Sequence, residues 1–127
     1  MSEQSAVRRV RPDERTEGQA TPGMHLEQAL DDGTMWAGYV TTDPGATSGW
    51  HHHGGHESSI YVVTGALRME FGPGVNDVLD ADAGDVLYVP PGAIHREGNP
   101  TAETSALVVV RAGTGPAVIN VDGPAPG

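Results

Sequence analysis

Five of the six histidines in this chain fall in two places: His51, His52, His53 and His56 in one, His95 in the other. Imidazole is the commonest side-chain ligand for first-row transition ions. Alternate side chains of a strand share a face, so an extended His51-His52-His53 turns His51 and His53 one way and His52 the other. Two imidazoles on one face and a third from another strand make half or more of a metal site, and carboxylates lie beside them. A His-rich tract can also be a solvated loop or an expression tag; this one is internal and flanked by strand-like segments, which argues against a tag. No cysteine is present, so thiolate ligands, thiol nucleophiles and disulfides are excluded.

The segments that must position these histidines read as short strands. Met24, Leu26 and Leu30 alternate with polar residues up to Asp31-Asp32-Gly33, and Met35 to Val40 follows, which predicts a hairpin. Residues 47–53 are extended until Gly54-Gly55. Residues 59–63, 66–71, 85–89, 94–97, 106–110 and 117–121 are further strands by their β-branched content or alternation, separated by Gly and Pro turns. No amphipathic pattern of three helical turns is present. Eight to ten short strands in 127 residues predict a single all-β domain, a sandwich or barrel. Its expected bounds are 23–121, with a flexible arm at 1–22 and a tail at 122–127.

Two ordered motifs strengthen the histidine reading. Gly45, His51, His53 and Gly65 reproduce most of a pattern of glycine, five residues, H-x-H, glutamate and glycine. Gly84, Pro90, Gly92, His95 and Asn99 fit G-x5-P-x-G-x2-H-x3-N at every position. With both motifs in order across about residues 35–111, the chain resembles the cupins. The resemblance implies a small jelly-roll-like β-barrel whose two motifs supply metal ligands from neighbouring strands. Carried over by position, His51 and His53 are the first two ligands and His95 the last. Gly45, Gly84 and Gly92 are expected in turn conformations closed to other residues, and Pro90-Pro91-Gly92 forms a stiff corner that aims His95 inward.

The chain departs from the pattern at the glutamate. That residue stands three or four positions after H-x-H and seven before the closing glycine. Glu57 meets the first distance but lies eight before Gly65; Ser58 occupies the slot at seven. Strand parity groups His56, Ser58, Ile60 and Val62 on one face and makes His56 the fourth ligand. A bulge after Gly54-Gly55 would bring in Glu57 instead. Three or four imidazoles suit Zn, Fe, Ni, Cu or Co, while Glu57 would ease the binding of Mn or Fe. His52 is read as supporting or solvent-exposed and His25 as a surface residue.

The formal net charge of −10 argues against nucleic acid and anionic membranes as partners. Arg8, Arg9, Arg11 and Arg15 cluster early, among acids, and read as a solvated tail. The first 20 residues lack an apolar signal core and no run approaches membrane-spanning length, so a cytoplasmic location is expected. A homodimer is expected, with residues 20–30 pairing on the sheet of a second subunit. The leading functional expectation is a metal-dependent enzyme acting on a small organic molecule inside the barrel. Oxygenase, isomerase, lyase and cyclase chemistries all remain open. The alternatives are a non-catalytic module that binds a small molecule or metal, and a structural barrel. Tyr61, Tyr88, Arg68, Met69 and Glu97 are candidates for lining the pocket.

Overall fold

The computed structural model of the protein describes residues 7–18, 21–73, 77–116 and 118–124, and expectations that touch other residues lie outside them. The described residues form strands β1 (Thr16–Glu17), β2 (Met24–Asp31), β3 (Met35–Thr42), β4 (His51–His52), β5 (Glu57–Thr64), β6 (Ala66–Phe71), β7 (Asp77–Asp82), β8 (Val86–Val89), β9 (His95–Gly98), β10 (Ser105–Ala112) and β11 (Ile119–Asn120), plus one 3-10 turn at Pro12–Glu14. Two antiparallel sheets result. One runs β1-β2-β3-β10-β5-β8 and the other β11-β4-β9-β6-β7. No helix is long and apolar enough to cross a membrane among the described residues.

Period-two alternation decides what lies between the sheets. In β5, Ser58, Ile60 and Val62 are buried while Glu57, Ser59 and Tyr61 are exposed. Registered neighbours continue this pattern as rows across the inner face: Val40–Leu107–Val62, then Gly38–Val109–Ile60–Leu87, then Trp36–Arg111–Ser58–Val89. The first two rows join Leu67, Met69 and Ala81 of the facing sheet in one apolar core. The third row carries a guanidinium and a hydroxyl. Trp36 and Val89 of that row still belong to the core, and Arg111 and Ser58 between them begin a polar end of the barrel.

The β2–β3 hairpin forms as expected, with the Asp32 carboxylate accepting hydrogen bonds from the Thr34 and Met35 amides at 3.0 and 2.8 Å. Two expectations meet a different arrangement. Strand pairing begins inside the segment read as an arm, where Thr16 and Glu17 pair with Gln28 and Glu27. Arg15 is drawn onto the sheet rather than left in a solvated tail. Its guanidinium lies 4.4 Å from the Tyr39 ring centroid and 3.6 Å from the Glu27 carboxylate. Residues 24–31 pair with β3 in this chain's own sheet. Strand β7, a stretch of alternating acids with only Ala81 buried, was not anticipated from the sequence.

Gly45, Gly84 and Gly92 take φ values of 73°, 95° and 73°, the region closed to most side chains. Gly65, at the β5–β6 junction, adds a steric constraint. Its φ is 76°, and a Cβ there would lie 2.9 Å from the Ser105 Cβ and 3.0 Å from the Ser105 Cα. Gly33, at φ 92°, faces open space. Gly65→Ala is expected to lower the unfolding free energy by about 2–3 kcal/mol and Gly33→Ala by about 1 kcal/mol, since only the first adds a clash to the backbone strain. Urea denaturation of the two variants checks the difference, and equal losses would refute the clash.

Candidate metal centre

His51 and His95 face each other as a registered pair between β4 and β9. His53 follows two residues later on the same side of its segment. All three are buried, at 8%, 5% and 2% exposure, whereas His52 between them is only half-buried. The ring centroids lie 4.4 Å apart for His51 and His95, 5.0 Å for His51 and His53, and 5.1 Å for His53 and His95. One potential ligand atom from each lies within 4.8 Å of the other two.

Backbone carbonyls orient the rings. His51 Nδ1 is 2.9 Å from the Gly49 carbonyl oxygen and His95 Nδ1 is 2.9 Å from that of Ala93. A carbonyl only accepts, so Nδ1 carries the proton in each ring and Nε2 keeps its lone pair. Metal-binding imidazoles are held in this manner by an acceptor behind the ring. Ala93 belongs to the Pro90-Pro91-Gly92 corner, so the corner both turns the chain and holds the His95 ring. The Gly92 amide donates to the Gly54 carbonyl at 2.9 Å and ties that corner to the loop after His53. Burial, before any other influence, pushes the His95 pKa below 6.5 and favours the neutral form that can coordinate.

The two candidates for a fourth ligand, His56 and Glu57, lie outside the group of three close ligand atoms. Strand β5 keeps simple alternation from Ser58 to Tyr61 against β8, with no bulge there to reverse its faces. Glu57 therefore points outward, and its carboxylate accepts the Tyr88 hydroxyl at 2.9 Å. His56 is buried on the inward parity, but its Nδ1 bonds the His53 carbonyl at 3.0 Å and its ring lies against Gly113. Neither residue belongs to the group of mutually close ligand atoms. His52 Nδ1 accepts the Gly54 amide at 3.0 Å, and His25 is exposed, 3.5 Å from Asp43.

His51 and His53 line a cavity of about 270 Å³ together with Glu97 and Arg111. His95 also lines an apolar cleft of about 400 Å³ on another side, with Met69, Phe71, Leu87 and Tyr88. Of the lining candidates, Met69, Tyr88 and Glu97 thus reach a cavity beside the histidines. Tyr61 stands exposed on the outer face, and Arg68 pairs with Asp80 at 2.8 Å. Arg111 was missed in the sequence. The signal was there, because alternation through Leu107 and Val109 turns a charged residue inward at 111.

Three donors of this type fit a first-row divalent ion. Metal–nitrogen bonds of about 2.0–2.1 Å require ligand atoms that converge as these do, and the carbonyl-bound Nδ1 atoms leave Nε2 of His51 and His95 for coordination.

Solved structures share the architecture. An uncharacterized conserved protein with a double-stranded beta-helix domain from Klebsiella pneumoniae superposes with a TM-score of 0.70 at 19% identity, over 83% of this chain and 90% of that one. KdgF from Halomonas sp. gives a TM-score of 0.70 at 22% identity, over 84% and 94% of the two chains. Oxalate decarboxylase from Bacillus subtilis, a protein with Mn(II) centres, also gives 0.70, at 23% identity, over 84% of this chain but only 30% of its own. No curated protein matches the chain by sequence. The family model that does match is the cupin domain, across residues 38–111. That span exceeds half of the chain and runs from β3 to β10 through both histidine segments, so this protein belongs to the cupin family.

Proposed function

We propose that the protein is a metal-dependent enzyme acting on a small organic molecule, with His51, His53 and His95 holding one divalent transition ion. The observation that carries this reading is the convergence of three buried imidazoles, two of them carbonyl-oriented, with His51 and His53 lining one cavity and His95 another. A bound ion of this kind supplies Lewis-acid polarisation of a substrate oxygen or an activated water. Three neutral imidazoles suit Zn, Fe, Ni, Cu or Co. The Mn(II) centres of the oxalate decarboxylase neighbour add Mn to the ions worth testing.

The chain's own groups divide the remaining work. Glu97 lies two residues from His95 on β9 and lines the cavity. Its carboxylate is placed to accept a proton from a molecule seated there. Its backbone is locked, since its amide donates to the Ser48 hydroxyl at 3.0 Å and its carbonyl accepts the Ser48 amide at 2.7 Å.

Metal analysis of the purified protein, followed by oxygen uptake and substrate loss against a panel of small acids and diketones, tests the reading. Metal without turnover of any compound would favour a binding module. His51→Ala, His53→Ala and His95→Ala are each expected to drop metal content well below that of the parent. His52→Ala, His56→Ala and Glu57→Gln are expected to keep it. Loss on His52→Ala with retention on His53→Ala would refute this ligand set.

Stability provides an independent reading. Metal at about 100 times its dissociation constant would stabilise the fold by roughly 2.7 kcal/mol, so chelation should lower the melting temperature and restored metal should raise it. In the metal-free protein, acid acts through His95. Its folded pKa is depressed, so its contribution is complete above the unfolded value of 6.5 and is lost as pH falls through the folded value. Urea denaturation from about pH 7.5 to pH 5 should show that loss in the parent and a flatter profile in His95→Gln. Identical profiles would exclude His95 as its source.

A further inference from the structure

Arg111 stands on the inner face of β10 where the apolar rows end, in register with Trp36 on one side and Ser58 on the other. It is only 8% exposed and lines the cavity of about 270 Å³ that holds His51 and His53. Its guanidinium carbon lies 4.7 Å from the Trp36 ring centroid. The Trp36 Nε1–H in turn donates to Gln28 Oε1 at 2.9 Å. The ring face therefore holds the guanidinium without taking up its N–H donors.

Those donors are not consumed elsewhere. Arg111 Nε has no hydrogen-bond partner among the described residues, and neither has the buried Ser58 hydroxyl in the registered position beside it. Glu97 lines the same cavity, yet no ion pair joins it to Arg111 among the described residues. A buried cation without close hydrogen-bonded partners is costly, and an incoming anion would offset that cost.

We propose that Arg111 anchors the substrate carboxylate, so that the cavity takes a small organic acid with its carboxylate on the guanidinium fork and its remainder against His51 and His53. The inference rests on reading the cavity lined by His51 and His53 as the substrate chamber. Guanidinium and carboxylate match as planar, two-pronged partners. A divalent ion on neutral imidazoles together with Arg111 outweighs the single negative charge of Glu97. The chamber is thus a positive well in a protein of net charge −10, and it favours anions. Its volume lies near the lower end of small-molecule pockets, about 300 Å³, which confines the acid to a small one.

Butanoate and its uncharged counterpart butanamide serve as probes. Each is titrated into the full chain, metal-loaded and metal-free, for the parent, Arg111→Gln and Arg111→Lys, with metal content and melting temperature measured alongside. The parent should prefer butanoate in both metal states. Arg111→Gln should weaken butanoate about ten- to a hundred-fold, as expected for a charge-assisted pair, leave butanamide unchanged and keep its metal. Arg111→Lys should fall between them. Equal butanoate affinity in parent and Arg111→Gln would overturn the proposal, as would equal weakening of both probes. A butanoate preference that persists in Arg111→Gln and vanishes on metal removal would also overturn it, because the carboxylate would then sit on the ion. If the protein takes up no metal, the metal-dependent function fails while the metal-free titration still decides the role of Arg111.

Discussion

The centre depends on the single registered contact between β4 and β9, the pairing of His51 with His95. One pair makes no ladder, so the register must be held from outside the two strands. The holding contacts lie on both sides of it. Gly92 bonds Gly54 beyond one end, and Ser48 exchanges hydrogen bonds with Glu97 near the other. Thr47 bridges to Gly98, where a Cβ would come within 2.7 Å of the Ala46 carbonyl oxygen. A side chain at 98 would push this crossing apart and carry His51 away from His95. Gly92 of the second motif and the neighbouring Gly98 therefore act on the histidine group through the backbone.

The barrel interior changes character along its axis, and the histidines sit where it changes. Rows centred on Leu107 and Val109 are apolar, while the next row carries Arg111 and Ser58. Imidazoles placed among the apolar rows would lack acceptors for their N–H groups. Placed in open solvent they would lose the desolvation that keeps His95 neutral. At the boundary, the Gly49 and Ala93 carbonyls come from loops at the barrel's end and satisfy Nδ1, while the core excludes water behind the rings. Asn99 closes the opposite end, beyond the Leu107 row, where β3 ends at Thr42 and β10 begins at Ser105. Its amide donates to the Thr42 and Glu103 carbonyls, and its Oδ1 accepts from Thr101.

Much of this was legible in the sequence because it obeys a period of two. Alternation or β-branched content placed β2, β3, β5, β6, β8, β9 and β10, and alternation separated His51 and His53 from His52. It failed where pairing alone makes a strand. Strand β7 has little apolar pattern and is held by its ladder with β6, and β1 is two residues long beside β2. The fourth-ligand ambiguity had a physical source as well. Two glycines before β5 left its entry conformation open, so parity before Glu57 could not be fixed from sequence. Even with parity right for His56, its ring turned to the His53 carbonyl, a local bond that side-chain alternation does not encode.

The position of Ser58 links the departure in the first motif to the charge inside the barrel. It fills the slot seven residues before Gly65 where the resemblance places a glutamate, and it points inward in register with Arg111. A carboxylate at 58 would stand beside the guanidinium and compete for its donors. With serine there, the cavity's one acidic lining residue is Glu97, which comes from the other sheet. The cavity thus keeps a carboxylate near His95 and a cation held against Trp36, without an ion pair between them among the described residues. Two opposite charges paired with each other would present little field to a ligand. Held apart in a poorly screened interior, they give the chamber a direction, basic at the β10 wall and acidic at the β9 wall.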